Sequence, residues 1–330
     1  MRKSTKICLI TALVFFVISI GCMITGSVIG ENPFQIAKKI WNEGLDWSIA
    51  SEQYDEQFDK DYDLSKFKLL KECDASGIDD LQVRAGRGTV VVKAVSGESC
   101  RVWINEEKHS DAVTVSEESG TLNIVDKEYG KLFGKKSLFK NVWTQIKGHD
   151  MQNIVVEIPD KLWKTIDTEV QCGAVKIYDL KSEKLNVNVE AGNAYGCGLQ
   201  VCTEAALNVD MGNVVWEDIQ SRKVTLNVEM GNLQVKTALA DTLQAVCDMG
   251  RMEFESVHAQ SMTADCSMGN MDIGLTGRKE DYFISYDSSM GSVDIEGGHA
   301  KRNSQADNEI DLTCDMGNIN VSFLGKELSR

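Results

Sequence analysis

Between Cys172 and Val321 the chain runs in short alternations of apolar and polar residues, and the runs recur. Leu207, Val209 and Met211 alternate with Asn208 and Asp210; Gly212-Asn213 follows, and Val214 and Trp216 resume the alternation. Leu226 to Asn232 repeats this order almost residue for residue, and Asp265 to Asn270 repeats it loosely. A period of two predicts strands with one face on a core and the other in water. The glycines of the pattern, Gly173, Gly192, Gly212, Gly231, Gly250, Gly269, Gly291 and Gly317, follow one another at intervals of 19, 20, 19, 19, 19, 22 and 26 residues. A period of about 20 residues, sustained this long, predicts a solenoid in which each copy is one coil. Each coil is expected to give two short strands to parallel sheets, stacked about 4.8 Å apart in a rod on the order of 40 Å long.

The positions around the glycine carry the chemistry of a corner. Glycine supplies a backbone conformation that a Cβ would resist. Asn193, Asn213, Asn232, Asn270 and Asn318 come next, a residue type that tolerates such corners and bonds neighbouring amides, so stacked coils predict an asparagine ladder. Met211, Met230, Met249, Met268, Met290 and Met316 precede the glycine. Period two turns them inward, and Cys172 and Ala191 fill the same slot, so core packing is expected in preference to a metal-binding stripe. One residue earlier, Glu190, Asp210, Glu229, Asp248 and Asp315 form an outward acidic stripe, interrupted by Gln171, Ser267 and Ser289. Without a GGxGxD repeat it reads as a solvated face that discourages lateral pairing. Cys247, Cys266 and Cys314 occupy a slot that other copies fill with Val170, Val189, Val209 and Val228, so they read as buried structural thiols. No CxxC or zinc-type spacing occurs. Cys197 and Cys202 are the pair to test for oxidation.

Upstream of the repeat the pattern changes. Ile7 to Ile29 contains no charge and is long enough for a transmembrane helix. Arg2, Lys3 and Lys6 precede it, so the positive-inside rule predicts a single-pass protein of the cell membrane, N-terminus cytoplasmic and bulk extracellular. The competing detail is a faint lipobox-like Ser19-Ile20-Gly21-Cys22. Residues 1–6 then form a short cytoplasmic tail and 7–29 the span. Residues 30–63 hold an amphipathic segment (Phe34, Ala37, Trp41, Leu45) and an acidic spacer. Residues 64–158 show short β-runs punctuated by Gly86, Gly88, Gly97 and Gly120, and 159–330 the glycine-centred coils. The expected fold class is all-β: a single-stranded parallel β-solenoid, β-helix-like, preceded by one N-terminal transmembrane helix.

Charge singles out one segment. The 330 residues carry 35 basic and 50 acidic side chains, a formal net charge of −15. So negative a body is a poor partner for nucleic acid. Yet 127–150 holds Lys127, Lys131, Lys135, Lys136, Lys140 and Lys147 against Glu128 and Asp150, a net +4. Leu132, Phe133, Leu138, Phe139 and Trp143 are interleaved with them. Lys131, Lys135, Lys136, Lys140, Phe133, Phe139 and Trp143 are therefore the candidate binding residues, for an anionic membrane surface or wall polymer. The alternative is a loop or short helix that caps an open coil end.

Ile154-Val155-Val156-Glu157-Ile158-Pro159, followed by coils of the Val-x-Met-Gly-Asn kind from Val170-Gln171-Cys172-Gly173-Ala174-Val175 onward, resembles the bacterial "putative adhesin" β-solenoid family, a domain of unknown function. The resemblance spans roughly Leu81 to Phe323 and implies a membrane-anchored envelope protein, and it offers no catalytic residues to carry over. His109, His149, His258 and His299 sit in no motif, and the acids are spread by the repeat rather than paired. The expected function is non-enzymatic: a cell-surface protein that binds an envelope component or partner protein. The ectodomain of an envelope-stress system, working through a membrane signalling protein, is the alternative. A polysaccharide-active enzyme is the third reading. No cofactor, metal or nucleic acid is expected.

Overall fold

The computed structural model describes residues 64–105, 112–130, 152–298 and 306–325, all within the unit Trp47–Arg330. The alternating runs form strands. In chain order these are β1 (Phe67–Asp74), β2 (Asp80–Val95), β3 (Ser99–Asn105), β4 (Val113–Glu118), β5 (Thr121–Asp126), β6 (Ile154–Pro159), β7 (Leu162–Tyr178) and β8 (Lys181–Cys197). β9 (Leu199–Met211), β10 (Val214–Met230), β11 (Leu233–Leu275), β12 (Tyr282–Met290), β13 (Val293–Ile295), β14 (Asn308–Met316) and β15 (Ile319–Phe323) follow. The only helices among the described residues are single 3₁₀ turns, Leu64–Lys66 and Lys279–Asp281. The fold is all-β.

From β2 through β7, β8, β9, β10 and β11 the neighbours run parallel, with register shifts at Ser182–Lys184 and Ser221–Lys223; Gly173 stands opposite Gly88 and Gly192, and Asn208 opposite Asn188 and Asn227. At the start of the stack β3 turns antiparallel between β1 and β6, and β4 closes antiparallel on β5. Each coil buries more than two strands' worth of side chains. In the coil 219–235 the inward set is Ile219 and Ser221, then Val224, Leu226 and Val228, then Leu233 and Val235. The first pair is a third inward run that the two-strand expectation omits; Leu199 with Val201 and Ala238 with Ala240 repeat it. Burying a large aliphatic side chain contributes roughly 1.5–3 kcal/mol, so the continuous core between rungs, rather than any one coil, carries stability.

The asparagines form the ladder. Asn213 N–H donates to Asn193 Oδ1 at 2.9 Å, Asn232 N–H to Asn213 Oδ1 at 3.2 Å and Arg251 N–H to Asn232 Oδ1 at 3.1 Å. Asn208 Nδ2 donates to Asn188 Oδ1 and Asn227 Nδ2 to Asn208 Oδ1, both at 2.8 Å, in a second ladder on the same coils. Asn213→Ala removes the acceptor of both the Asn232 amide and its side chain. It is expected to cost about 1–3 kcal/mol, read as a lower urea midpoint at unchanged slope.

The last coils depart from chain order. β14 and β15 pair with β11 on one side and with β12 and β13 on the other, all parallel. The final coil thus lies between the coil of Gly269 and the coil of Gly291. The wider intervals of 22 and 26 residues explain how. Three residues beyond the usual 19 add about 10 Å of extended chain, enough to step over one rung of about 4.8 Å. The 3₁₀ turn Lys279–Asp281 sits in that step, and Lys279 Nζ reaches the carbonyls of Gly297 and Gly298 where the chain turns back.

Two expectations need correction. Residues 7–29 lie outside the described residues, and among those described no helix is long and apolar enough to cross a membrane. Every described element is a strand or a single 3₁₀ turn, so the single-pass placement at the cell membrane is not retained. The methionines do not face the core either. Met211, Met249, Met268 and Met316 are 38–42% exposed and Met290 is 63% exposed. The alternation breaks before the glycine: Asp210 and Met211 are both exposed, as are Asp248 and Met249, next to glycines whose φ is +145° and +150°.

The cysteine slot, by contrast, is buried: Cys247, Cys266 and Cys314 lie in the core. Burial pushes the Cys314 thiol up to about 11 and that of Cys100 to about 12, so both stay protonated at neutral pH. None of the described cysteines, Cys197 and Cys202 included, forms a disulfide.

Candidate binding edge at the glycine corner

The glycines stack into one edge. Their φ values lie at +140° to +156° from Gly192 onward, a region that side chains with a Cβ avoid. A Cβ on Gly192 would sit 1.6 Å from the carbonyl oxygen of Gly173, and each later rung repeats the approach. The contacts run Gly173, Gly192, Gly212, Gly231, Gly250, Gly269, then Gly317 and lastly Gly291. One more rung precedes them: Gly88, with φ +116°, pairs with Gly173, and a Cβ on Gly173 would lie 2.0 Å from its carbonyl oxygen. Sequence reading missed Gly88 as a rung because Arg87 and Thr89 replace the usual Met and Asn. Its signal was the 85-residue offset to Gly173, which sets Val90 and Val92 opposite Val175 and Ile177.

At the N-terminal end of this edge the chain makes its basic excursion. β5 and β6 flank β2 as the two halves of a further coil, paired with Asp80–Arg84 and Val90–Val95 respectively. Between them, where other coils place Gly-Asn, the chain carries the 127–150 segment. Gln152 stands at the glycine position, since a Cβ on Gly88 would approach its carbonyl oxygen to 2.4 Å. Asn153 stands at the asparagine position, its Oδ1 accepting from the Thr89 amide at 2.9 Å.

Both feet of the segment are tied down. Asp126 is 1% exposed, and its carboxylate accepts from the amides of Gly86 and Glu128, each at 3.0 Å. The Gly130 amide donates to Gln171 Oε1 at 2.7 Å. Burial and the neighbouring Glu169 push the Tyr129 hydroxyl up to about 12, so it remains a phenol, and the Arg84 guanidinium lies 5.8 Å from its ring centre. On the return side Asn105 Oδ1 accepts from Gln152 Nε2 and from the Asn153 amide. Lys131, Lys135, Lys136, Lys140, Phe133, Phe139 and Trp143 themselves lie outside the described residues.

A second surface feature is the concavity of about 520 Å³ bounded by Glu253, Glu255, Asp272, Asp294 and Glu296. Its acids are largely engaged. Arg251 pairs with Asp272 at 2.9 Å and with Glu253 at 3.6 Å. Gln234 Nε2 donates to Glu255 at 3.0 Å, and the Phe323 amide to Glu296 at 2.9 Å. Among the described residues no group of three His, Cys, Asp or Glu side chains could hold a metal ion.

A family profile described as Toastrack DUF4097 matches residues 78–322. The chain belongs to the Toastrack DUF4097 family. Solved structures similar to this Toastrack chain include a "putative adhesin" from Bacteroides fragilis NCTC 9343, at 13% identity and a TM-score of 0.43, covering 78% of this chain and 97% of that one. A "putative lipid binding protein" from Parabacteroides distasonis ATCC 8503 is 16% identical with a TM-score of 0.45, covering 78% and 96%. A "putative adhesin" from Parabacteroides merdae ATCC 43184 is 12% identical with a TM-score of 0.44, also covering 78% and 96%. No curated protein matches this Toastrack chain.

Proposed function

We propose that this Toastrack protein is a non-enzymatic surface-binding protein whose ligand is an anionic envelope polymer, held by the lysine and aromatic residues of 127–150. The observation that carries the reading is the pairing of charge with place. A segment of net +4 interrupts a chain of net −15, and it leaves and re-enters at one corner, between the buried Asp126 and the Asn105-bound Gln152. A segment anchored at both ends loses less freedom on binding than a free tail does. Lysines supply long-range attraction, and Phe133, Phe139 and Trp143 supply contact area. The engagement of the acids around Asp272 favours binding over hydrolysis, because a general acid–base pair needs carboxylates free to exchange protons with substrate.

The test is sedimentation of the full chain with purified anionic wall polymer, at low and high salt. Wild type is expected to co-sediment at low salt and to be released as screening rises. Changing Lys131, Lys135, Lys136 and Lys140 to Gln should weaken binding at least about tenfold, or about 1.4 kcal/mol. Equal binding by the variant, or turnover of the polymer, contradicts the reading.

A further inference from the structure

The outward turn of the methionines leaves a row of thioethers with no structural task in the core. Met211 pairs with Met230 and Met230 with Met249 in parallel register. Met268 pairs with Met316 and Met316 with Met290. Gly250 and Gly269 stack directly, which joins the two sets into one line along the glycine edge. An apolar side chain at such a corner needs no sulfur, since leucine has similar volume and better-defined rotamers. What the thioether adds is a soft donor, and soft donors select Cu(I) among the biological metals.

The spacing suits that ion. Parallel neighbours lie about 4.8 Å apart. With metal–sulfur bonds of about 2.3 Å, two sulfurs bound on opposite sides of one ion lie about 4.6 Å apart. Adjacent rungs therefore bring the methionine backbones to about the separation that a two-coordinate soft ion spans between its sulfurs, and the three torsions of methionine let the thioethers reach it. Charge acts in the same sense. The exposed carboxylates of Asp210, Glu229, Asp248 and Asp315 stand one residue before their methionines and raise the local concentration of any cation. Hard divalent ions gain nothing further there, because the thioethers are poor ligands for them.

We propose that the methionine ladder on the glycine edge is a binding site for a soft monovalent cation, Cu(I), held between thioethers of successive coils. Binding is coordination alone, with the metal entering and leaving as Cu(I) and the sulfurs keeping their oxidation state. The site does not depend on the polymer-binding reading, since it uses other residues and another ligand.

The test uses the full chain labelled with ¹³C at the methionine methyls, its accessible thiols first blocked with N-ethylmaleimide. It is titrated with Ag(I) as a redox-inert probe, then with Cu(I) kept reduced by ascorbate. The methyl signals of Met230, Met249 and Met268 are expected to shift and saturate, while Zn(II) leaves them in place. The triple variant Met230→Leu, Met249→Leu, Met268→Leu should bind at least about tenfold more weakly, with a melting temperature close to that of the parent. Met249→Leu alone, which divides the ladder, serves if the triple variant fails to fold and should weaken binding in the same direction. Unshifted methyls, or variants that bind as tightly as wild type, overturn the proposal.

Discussion

Replacing Gly231 by alanine is expected to destabilise the protein by about 3–5 kcal/mol. Two costs combine. Gly231 holds φ at +143°, where an alanine is strained, and its added methyl would sit 1.7 Å from the carbonyl oxygen of Gly212. The contact cannot be relieved by a side-chain rotation, because the obstacle is backbone held against the next rung: the Gly212 amide donates to the Met230 carbonyl at 2.8 Å. Gly97 provides the control. It has φ +135° but nothing within 4 Å of its notional Cβ, so Gly97→Ala should lose only the conformational part, about 1–3 kcal/mol. Urea unfolding of the two variants separates the effects. Equal losses would mean that the corner needs glycine for its dihedral alone and that the stacking contact is incidental.

The second large effect lies in the core. Trp216 is 1% exposed and stands opposite Gly196 in the neighbouring coil. A Cβ on Gly196 would come within 2.8 Å of Trp216 Nε1 and of Leu199 Cδ1, so the missing side chain of one rung is the space the indole occupies. Trp216→Val leaves a cavity and should cost about 2–4 kcal/mol, and Gly196→Val overpacks the same space at about 1–3 kcal/mol. Together they give two rungs of the same aliphatic kind, as at Val235. The double variant should therefore be more stable than the sum of the single losses predicts, by about 1–3 kcal/mol. Simple additivity in a thermal or urea series would show that the two rungs do not share that space.

These residues also show what was legible beforehand. The period, the glycine corner, the asparagine ladder and the valine-or-cysteine slot are local, so repeated chemistry at fixed offsets exposed them. The methionines were misread because period two was carried one residue too far; Asp210 and Met211 are exposed together before Gly212, and no residue type announces that break. Gly88 escaped because its flanks lack the motif, although its conformation and stacking are those of the later rungs. The exchange of the last two coils is a long-range choice. Intervals of 22 and 26 permit it, but only the pairing of β14 with both β11 and β12 reveals it. The basic segment's composition was plain, whereas its attachment at the corner depends on Asp126 and Asn105, which carry no motif.

The stack itself is the central claim, and its order at the C-terminal end tests it most directly. Amide-to-amide and amide-to-Hα nuclear Overhauser contacts, measured on deuterated full-length protein, resolve which glycine lies beside which. The account predicts contacts from Gly317 to both Gly269 and Gly291, with the Gly317 amide protected by its 2.9 Å bond to the Met290 carbonyl. Direct contacts between Gly269 and Gly291, with Gly317 at the end of the row, would contradict it.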